Sequence, residues 1–186
     1  MRRADAVAIV MRALGDRPTI VCNGMIGREA FTARDREENF YMIGSMGLGL
    51  SLAIGVAQTH PEQSIVCLDG DGNVLMGAGV LASAGALGLK NLHHIVLDNE
   101  AHGSTGGQRT ITESIRLEEI ARASGYAHAE RVAADDLEAA LPAFLEREGP
   151  AMLLVKVDKG NMPGIARVSH TPPEITQRFS LEKGNG

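Results

Sequence analysis

Apolar and polar positions along the chain fall into blocks that switch between the helical and the extended period. Over Arg3–Leu14 the residues Ala6, Val7, Ile9, Val10 and Leu14 share one helical face, and Gly15 and Pro18 end the pattern. Thr19–Cys22 (TIVC) predicts a short strand broken by Asn23-Gly24. Arg28–Glu38 is polar and charged, which predicts a solvated helix or loop. Its run Arg34–Glu38 reads as a solvated face or a partner contact. Asn39–Ile43 (NFYMI) predicts a second strand, Gly44-Ser45-Met46-Gly47 a glycine loop, and Leu48–Gln58 a helix closed by His60-Pro61.

Ser64–Leu68 (SIVCL) has no polar face, as expected of a parallel strand covered by helices on both sides. Val74–Leu89 predicts one helix, apolar almost all round. Its four glycines point to tight packing in a buried position. His94–Leu97 predicts a strand, with His93 and His94 structural, and Glu100–Arg116 a polar loop. A helix over Leu117–Ser124, a strand over Tyr126–Arg131, a helix over Asp135–Glu148 and a last strand over Ala151–Val157 follow. Strands alternating with helices predict an α/β fold with a mainly parallel sheet sandwiched by helices. Residues 1–160 form the expected domain, and 161–186 a proline-containing tail that wraps a surface or frays.

Composition narrows the function. Hydrophobic residues are 44% and charged residues 22%, a globular profile rather than a disordered or fibrous one. The start MRRAD is too polar for a signal peptide, and no apolar run predicts a membrane span. Lys plus Arg number 18 against 23 Asp plus Glu, a net charge of −5 without basic runs. That argues against nucleic acid and anionic membranes, and requires any phosphate or sulfonate to be held by local donors or a metal. Cys22 and Cys67 lie in strand-like runs and read as buried reduced thiols of a cytoplasmic protein.

In such a fold, ligands bind at the carboxyl ends of strands, near helix N-termini. The turn Asp69-Gly70-Asp71-Gly72-Asn73 follows a buried strand and opens a helix. Its glycines free the backbone to approach a phosphate. Asp71 offers oxygen to a hard cation, and Asn73 is either an N-cap or a phosphate donor. Alone, this turn reads more readily as a plain Asx/Gly turn. A dinucleotide fingerprint would need glycine where Leu75 stands, and no P-loop occurs. The stretch Asn73–Leu97, 25 residues, separates the turn from Asp98-Asn99, which again follows a strand. A carboxylate and an amide oxygen from neighbouring strand ends can share one Mg²⁺.

This pattern resembles the thiamin-diphosphate motif, a GDG followed some two dozen residues later by an Asn pair. Asp98 departs from the commonest form of that pair, whereas Asn99, its metal-ligating member, is kept. The resemblance implies that Asp71, Asn99 and the Ala101 carbonyl bind Mg²⁺, which grips the diphosphate. The cofactor would further touch Gly70, Gly72, Asn73, His102 and Gly103. The loop from Gly44 through Ser45 and Met46 is similar to the cofactor loop of the same superfamily. There the Gly44 carbonyl would accept a hydrogen bond from the aminopyrimidine, and Met46 would prop the bent cofactor.

NFYMIGSMGLGLSLAIG, IVCLDGDGNVLM and HIVLDNEAHGSTGGQRT resemble, more closely, the sulfopyruvate and phosphonopyruvate decarboxylases. The resemblance implies the β subunit of a 2-oxoacid decarboxylase, acting on sulfopyruvate to give sulfoacetaldehyde and CO₂. Phosphonopyruvate is the alternative substrate, and a non-catalytic thiamin-diphosphate-binding module the alternative of another class. His102, Thr105 and Arg109 are the catalytic candidates of the glycine-rich loop, His102 to move protons and the other two to hold an anionic substrate head. The carboxylate that activates the cofactor belongs, in that family, to a pyrimidine-binding half with no counterpart here. A partner α subunit is therefore expected to supply it, and the isolated chain to form inactive homodimers.

Overall fold

The computed structural model describes residues 1–179 and Leu181. In chain order the elements are α1 (Arg3–Ala13), β1 (Thr19–Val21), α2 (Met25–Ala33), β2 (Asn39–Tyr41), α3 (Gly49–Thr59) and β3 (Ile65–Gly70). Next come α4 (Asp71–Met76), α5 (Ala78–Leu87), β4 (Leu92–Asp98) and a short hairpin of β5 (Ala101–His102) and β6 (Gln108–Arg109). The chain continues with α6 (Leu117–Ala123), β7 (His128–Val132), α7 (Leu137–Leu145), β8 (Ala151–Lys156) and α8 (Pro172–Arg178).

The main sheet has the order β2-β1-β3-β4-β8-β7, and every pairing in it is parallel. Alternation along the strands feeds two cores. Val21, Leu68, Ile95 and Leu153 face α1, α2 and α7. Ile20, Cys67, Val96 and Leu154 face α3, α5 and α6. From β1 the chain steps outward to β2 and then returns to the other side of β1 as β3. The carboxyl ends of β1 and β3 thus flank a switch in winding direction, where open α/β sheets leave a crevice.

Several expectations need correction. The helix expected as a solvated face starts earlier, at Met25, and buries Glu29. Arg36 of the charged run is buried, donating to the Gly15 and Arg17 carbonyls and to Thr19 Oγ1. Burial brings its pKa down to about 10. Both departures arise because the partners of these charges lie far away in sequence. The single helix over Val74–Leu89 is two, parted at Gly77, where the Gly47 carbonyl passes so close that a side chain would strike it. Most of α5 is exposed, with Leu81 and Ala84 buried. The tail contains α8, docked through Ile175 and through Asp35, which binds Arg178 and His170. No helix among the described residues is long and apolar enough to cross a membrane.

Cys22 and Cys67 are free and buried, with sulfur atoms 3.9 Å apart. Their mutual contact, burial and nearby Asp69 push the Cys22 thiol well up, so it stays protonated. His94 bridges Asp69 and Tyr126, and His93 bridges Ser64 and the Arg147 carbonyl. Both histidines are structural, as expected.

Candidate functional site

A cleft opens at the crevice between β1 and β3. Four strand-to-helix or strand-to-hairpin turns meet there. The turn after β3 places Gly70 in an extended conformation, and Asp71 begins α4. Asp71 is buried, and its Oδ2 accepts hydrogen bonds from Thr110 (2.6 Å) and Thr112 (3.3 Å). Burial raises its pKa, the two threonines lower it, and Asp98 raises it again; the balance is upward. Such a carboxylate is poised for a cation, which would reverse the desolvation cost.

Asn99 follows β4 and lines the same cleft, almost wholly buried. Its Oδ1 accepts a long 3.3 Å bond from the Ala101 amide, and its Nδ2 has no partner among the described residues. An orphaned buried amide is costly unless a ligand completes it. Asp98 points elsewhere. It pairs with Lys156, its neighbour across the β4/β8 register, at 2.8 Å, and takes the Thr112 hydroxyl. Lys156 thus neutralises the carboxylate that stands where an amide is commoner, while Asn99 remains free for the cleft. Glu100 adopts φ 56°, reversing the chain into the β5/β6 hairpin.

The hairpin lays His102 over α4. A Cβ at Gly72 would lie 2.7 Å from His102 Nδ1 and 3.1 Å from Met46 Cε, so this glycine holds open the place where the two side chains meet. Met46 is brought in by the loop before α3, and Gly47 N donates to Asn73 Oδ1 at 3.0 Å. Asn73 is therefore a tie between loops at the third position of α4 rather than its N-cap. Gly44 and Ser45 are exposed and line an apolar groove of about 520 Å³ between Phe40, Leu48 and Ile175, not the cleft.

Asp71, Gly72, Asn73, Asn99, Ala101, His102 and Gly103 come together in the cleft wall with Gly70 and Met46. Thr105 and Arg109 do not. Thr105 is exposed and bonds Gln108, and Arg109 is exposed and pairs with Glu113. Two contributions escaped the sequence reading. The Asn23-Gly24 turn delivers the uncapped N-terminus of α2 to the cleft, and its signal was the same as in the other turns: Asn-Gly between a strand and a helix. Arg3 also lines the cleft, although nothing local in α1 marks it. The orphaned Asn99 amide, the bare Gly72 cradle and the oxygen ligands of Asp71 and Asn99 fit a Mg²⁺-bound diphosphate.

Residues 19–155 match the family described as thiamine pyrophosphate enzyme, C-terminal TPP binding domain. The chain is 39% identical to the phosphonopyruvate decarboxylase of Streptomyces viridochromogenes, over 95% of this chain and 46% of that one. It spans about half the length of the phosphonopyruvate decarboxylases it matches. It is 34% identical to sulfopyruvate decarboxylase subunit beta of Methanococcus maripaludis, over 96% of both chains. Among solved structures, a thiamine diphosphate-dependent 4-hydroxybenzoylformate decarboxylase from Rhodococcus jostii RHA1 superposes with a TM-score of 0.71 at 19% identity. It covers 87% of this chain and 33% of that one.

Proposed function

Because the chain belongs to the thiamine pyrophosphate enzymes, as their C-terminal TPP binding domain, we propose that it is the diphosphate-binding half of a 2-oxoacid decarboxylase. Sulfopyruvate is the favoured substrate, with sulfoacetaldehyde and CO₂ as products. The observation that carries this reading is the convergence of Asp71 and Asn99, from adjacent strand ends, on one cleft beneath His102. Similarity to a sulfopyruvate decarboxylase subunit over 96% of both chains supports the choice of substrate.

Bound thiamin diphosphate supplies the nucleophilic carbon and the electron sink that decarboxylation needs. Asp71, Asn99 and the Ala101 carbonyl would hold Mg²⁺, with Thr110 and Thr112 fixing the Asp71 carboxylate. The N-termini of α2 and α4 present backbone N–H groups to the diphosphate. Met46, in the cleft wall, would pack against the bound cofactor, and Gly44 in the neighbouring exposed loop would offer its carbonyl to the pyrimidine. His102, in the cleft wall, would hold or move a proton at a ring nitrogen. Thr105 and Arg109 reach a sulfonate only when the hairpin moves, for which Gly106 and Gly107, both at positive φ, provide the freedom.

The pyrimidine-side carboxylate comes, in this reading, from a partner α subunit. Ile43, Leu48 and Met76 surround the Gly44–Gly49 loop and remain exposed at 58%, 53% and 65%. They and the bare faces of α5 suit an apolar partner surface. A second reading, phosphonopyruvate decarboxylation, is supported by the 39% identity to the Streptomyces enzyme. Co-expression with a candidate pyrimidine-half protein and assay on both substrates tests the proposal. Aldehyde formation by the pair and not by either chain alone is expected. Thiamin diphosphate binding by a pair that turns over neither 2-oxoacid would instead favour a non-catalytic module.

A further inference from the structure

Arg3 makes a bidentate contact with Glu29, Nε to Oε2 at 2.8 Å and Nη2 to Oε1 at 3.0 Å. Both residues are buried, 4% and 2% exposed. A sealed ion pair is seldom worth its desolvation cost to stability alone, and apolar residues commonly replace it without loss. The placement of this pair suggests another use. Nη2 also donates to Asn161 Oδ1 at 2.8 Å, and Asn161 Nδ2 donates to the Gly103 carbonyl on the hairpin. The guanidinium is thus fixed from α2 and from the segment after β8. Its remaining nitrogen, Nη1, has no partner among the described residues, and Arg3 lines the cleft.

Gly103 keeps that nitrogen uncovered. A Cβ there would stand 3.2 Å from Arg3 Nη1 and 2.7 Å from Asn161 Oδ1. Arg3 is also the one Lys or Arg among the residues lining the cleft. The chain carries net charge −5, and Asp71 lies in the same wall. A divalent ion offset by Asp71 leaves much of a diphosphate's charge uncompensated. A planar guanidinium, immobilised in advance, is suited to a phosphate oxygen.

We infer that Arg3, clamped by Glu29 and Asn161, donates through Nη1 to the diphosphate end of the ligand in the cleft. This rests on the thiamin-diphosphate reading above.

The test is calorimetric titration of the complex reconstituted from this chain and its pyrimidine-half partner with thiamin diphosphate in the presence of Mg²⁺, with thermal melts of this chain run in parallel. Arg3→Lys keeps the charge and a bond to Glu29 but cannot reach both sides. It should melt cooperatively and weaken binding about 10- to 150-fold, the loss expected for one charge-assisted hydrogen bond. Arg3→Met with Glu29→Met removes the pair without stranding a charge. It should fold and show the same loss. Glu29→Gln, which retains the guanidinium, should bind within a few-fold of the wild type. Wild-type binding that both Arg3 variants reproduce would overturn this inference alone. Absence of wild-type binding would contradict the reading on which it rests.

Discussion

Gly77 and Gly55 both interrupt apolar helical sequence, yet alanine should act on them with opposite sign. At Gly77 an added Cβ would lie 2.2 Å from the Gly47 carbonyl oxygen and 3.1 Å from its carbon. An ordinary C···O contact needs about 3.3 Å, so the two backbones must part by roughly 1 Å. Backbone cannot rotate away as a flexible side chain does, and overpacking of this kind costs about 1–3 kcal/mol. For a chain of this size that lowers Tm by about 2–12 °C. The displaced loop carries Met46 and the Gly47–Asn73 hydrogen bond, so thiamin diphosphate affinity should fall as well. Gly55 lies in the interior of α3, exposed, with nothing within 4 Å of an added Cβ. Alanine there gains about 0.8–1 kcal/mol of helix propensity. Tm should rise by about 2–4 °C, with affinity unchanged. Differential scanning calorimetry and cofactor titration of the two variants give the comparison. A Gly77→Ala protein as stable as the wild type would refute the close packing of the α4/α5 junction on the loop before α3.

Asp71→Asn should abolish Mg²⁺-dependent thiamin diphosphate binding in a calorimetric titration without unfolding the chain. Burial holds the Asp71 carboxyl above its ordinary value, so its contribution to stability is present in acid and lost as pH rises through the folded pKa. The metal-free variant should therefore melt no lower than the wild type at pH 7, and any gain should vanish in acid. Glu118 behaves oppositely. Burial pushes its pKa up, but Arg131, its own backbone N–H and Arg116 outweigh burial and leave it lowered. Glu118→Gln should cost about 1–3 kcal/mol at pH 7 in denaturant titrations. That penalty should shrink as pH falls below the ordinary value of 4.5 and through the lowered folded pKa. In the reconstituted enzyme, Arg109→Ala should raise KM for the anionic substrate about 10- to 150-fold while leaving cofactor affinity alone. An unchanged KM would assign Arg109 to its surface pair with Glu113.

Local pattern carried the strands and most of the helices, because runs such as Ser64–Leu68 and Ala151–Val157 are apolar whatever lies beside them. The GDG turn and Asn99 stood out through their strand-then-turn context together with a spacing that resembles the thiamin-diphosphate motif. What escaped depends on distant partners. Arg3, Glu29 and Arg36 look like surface charges until the fold brings them Asn161, one another, or the Gly15 carbonyl. The close approach of Gly77 to Gly47, thirty residues earlier, has no local signature. Arg109 illustrates the converse, a residue whose chemistry is legible and whose position is not. Its composition suits an anion, but β6 turns it outward onto Glu113. The strand order, with β8 inserted between β4 and β7, has no local signature at all.

In the proposed function, Asp71, Asn99 and the Ala101 carbonyl converge on one cation that anchors a diphosphate. Anomalous diffraction from crystals grown with Mn²⁺ in place of Mg²⁺, with thiamin diphosphate present, tests it most directly. A single anomalous peak is predicted within about 2.0–2.3 Å of an Asp71 carboxylate oxygen, the Asn99 amide oxygen and the Ala101 carbonyl oxygen, bridging to diphosphate density. A peak elsewhere, or cofactor density outside the cleft between β1 and β3, would contradict the account.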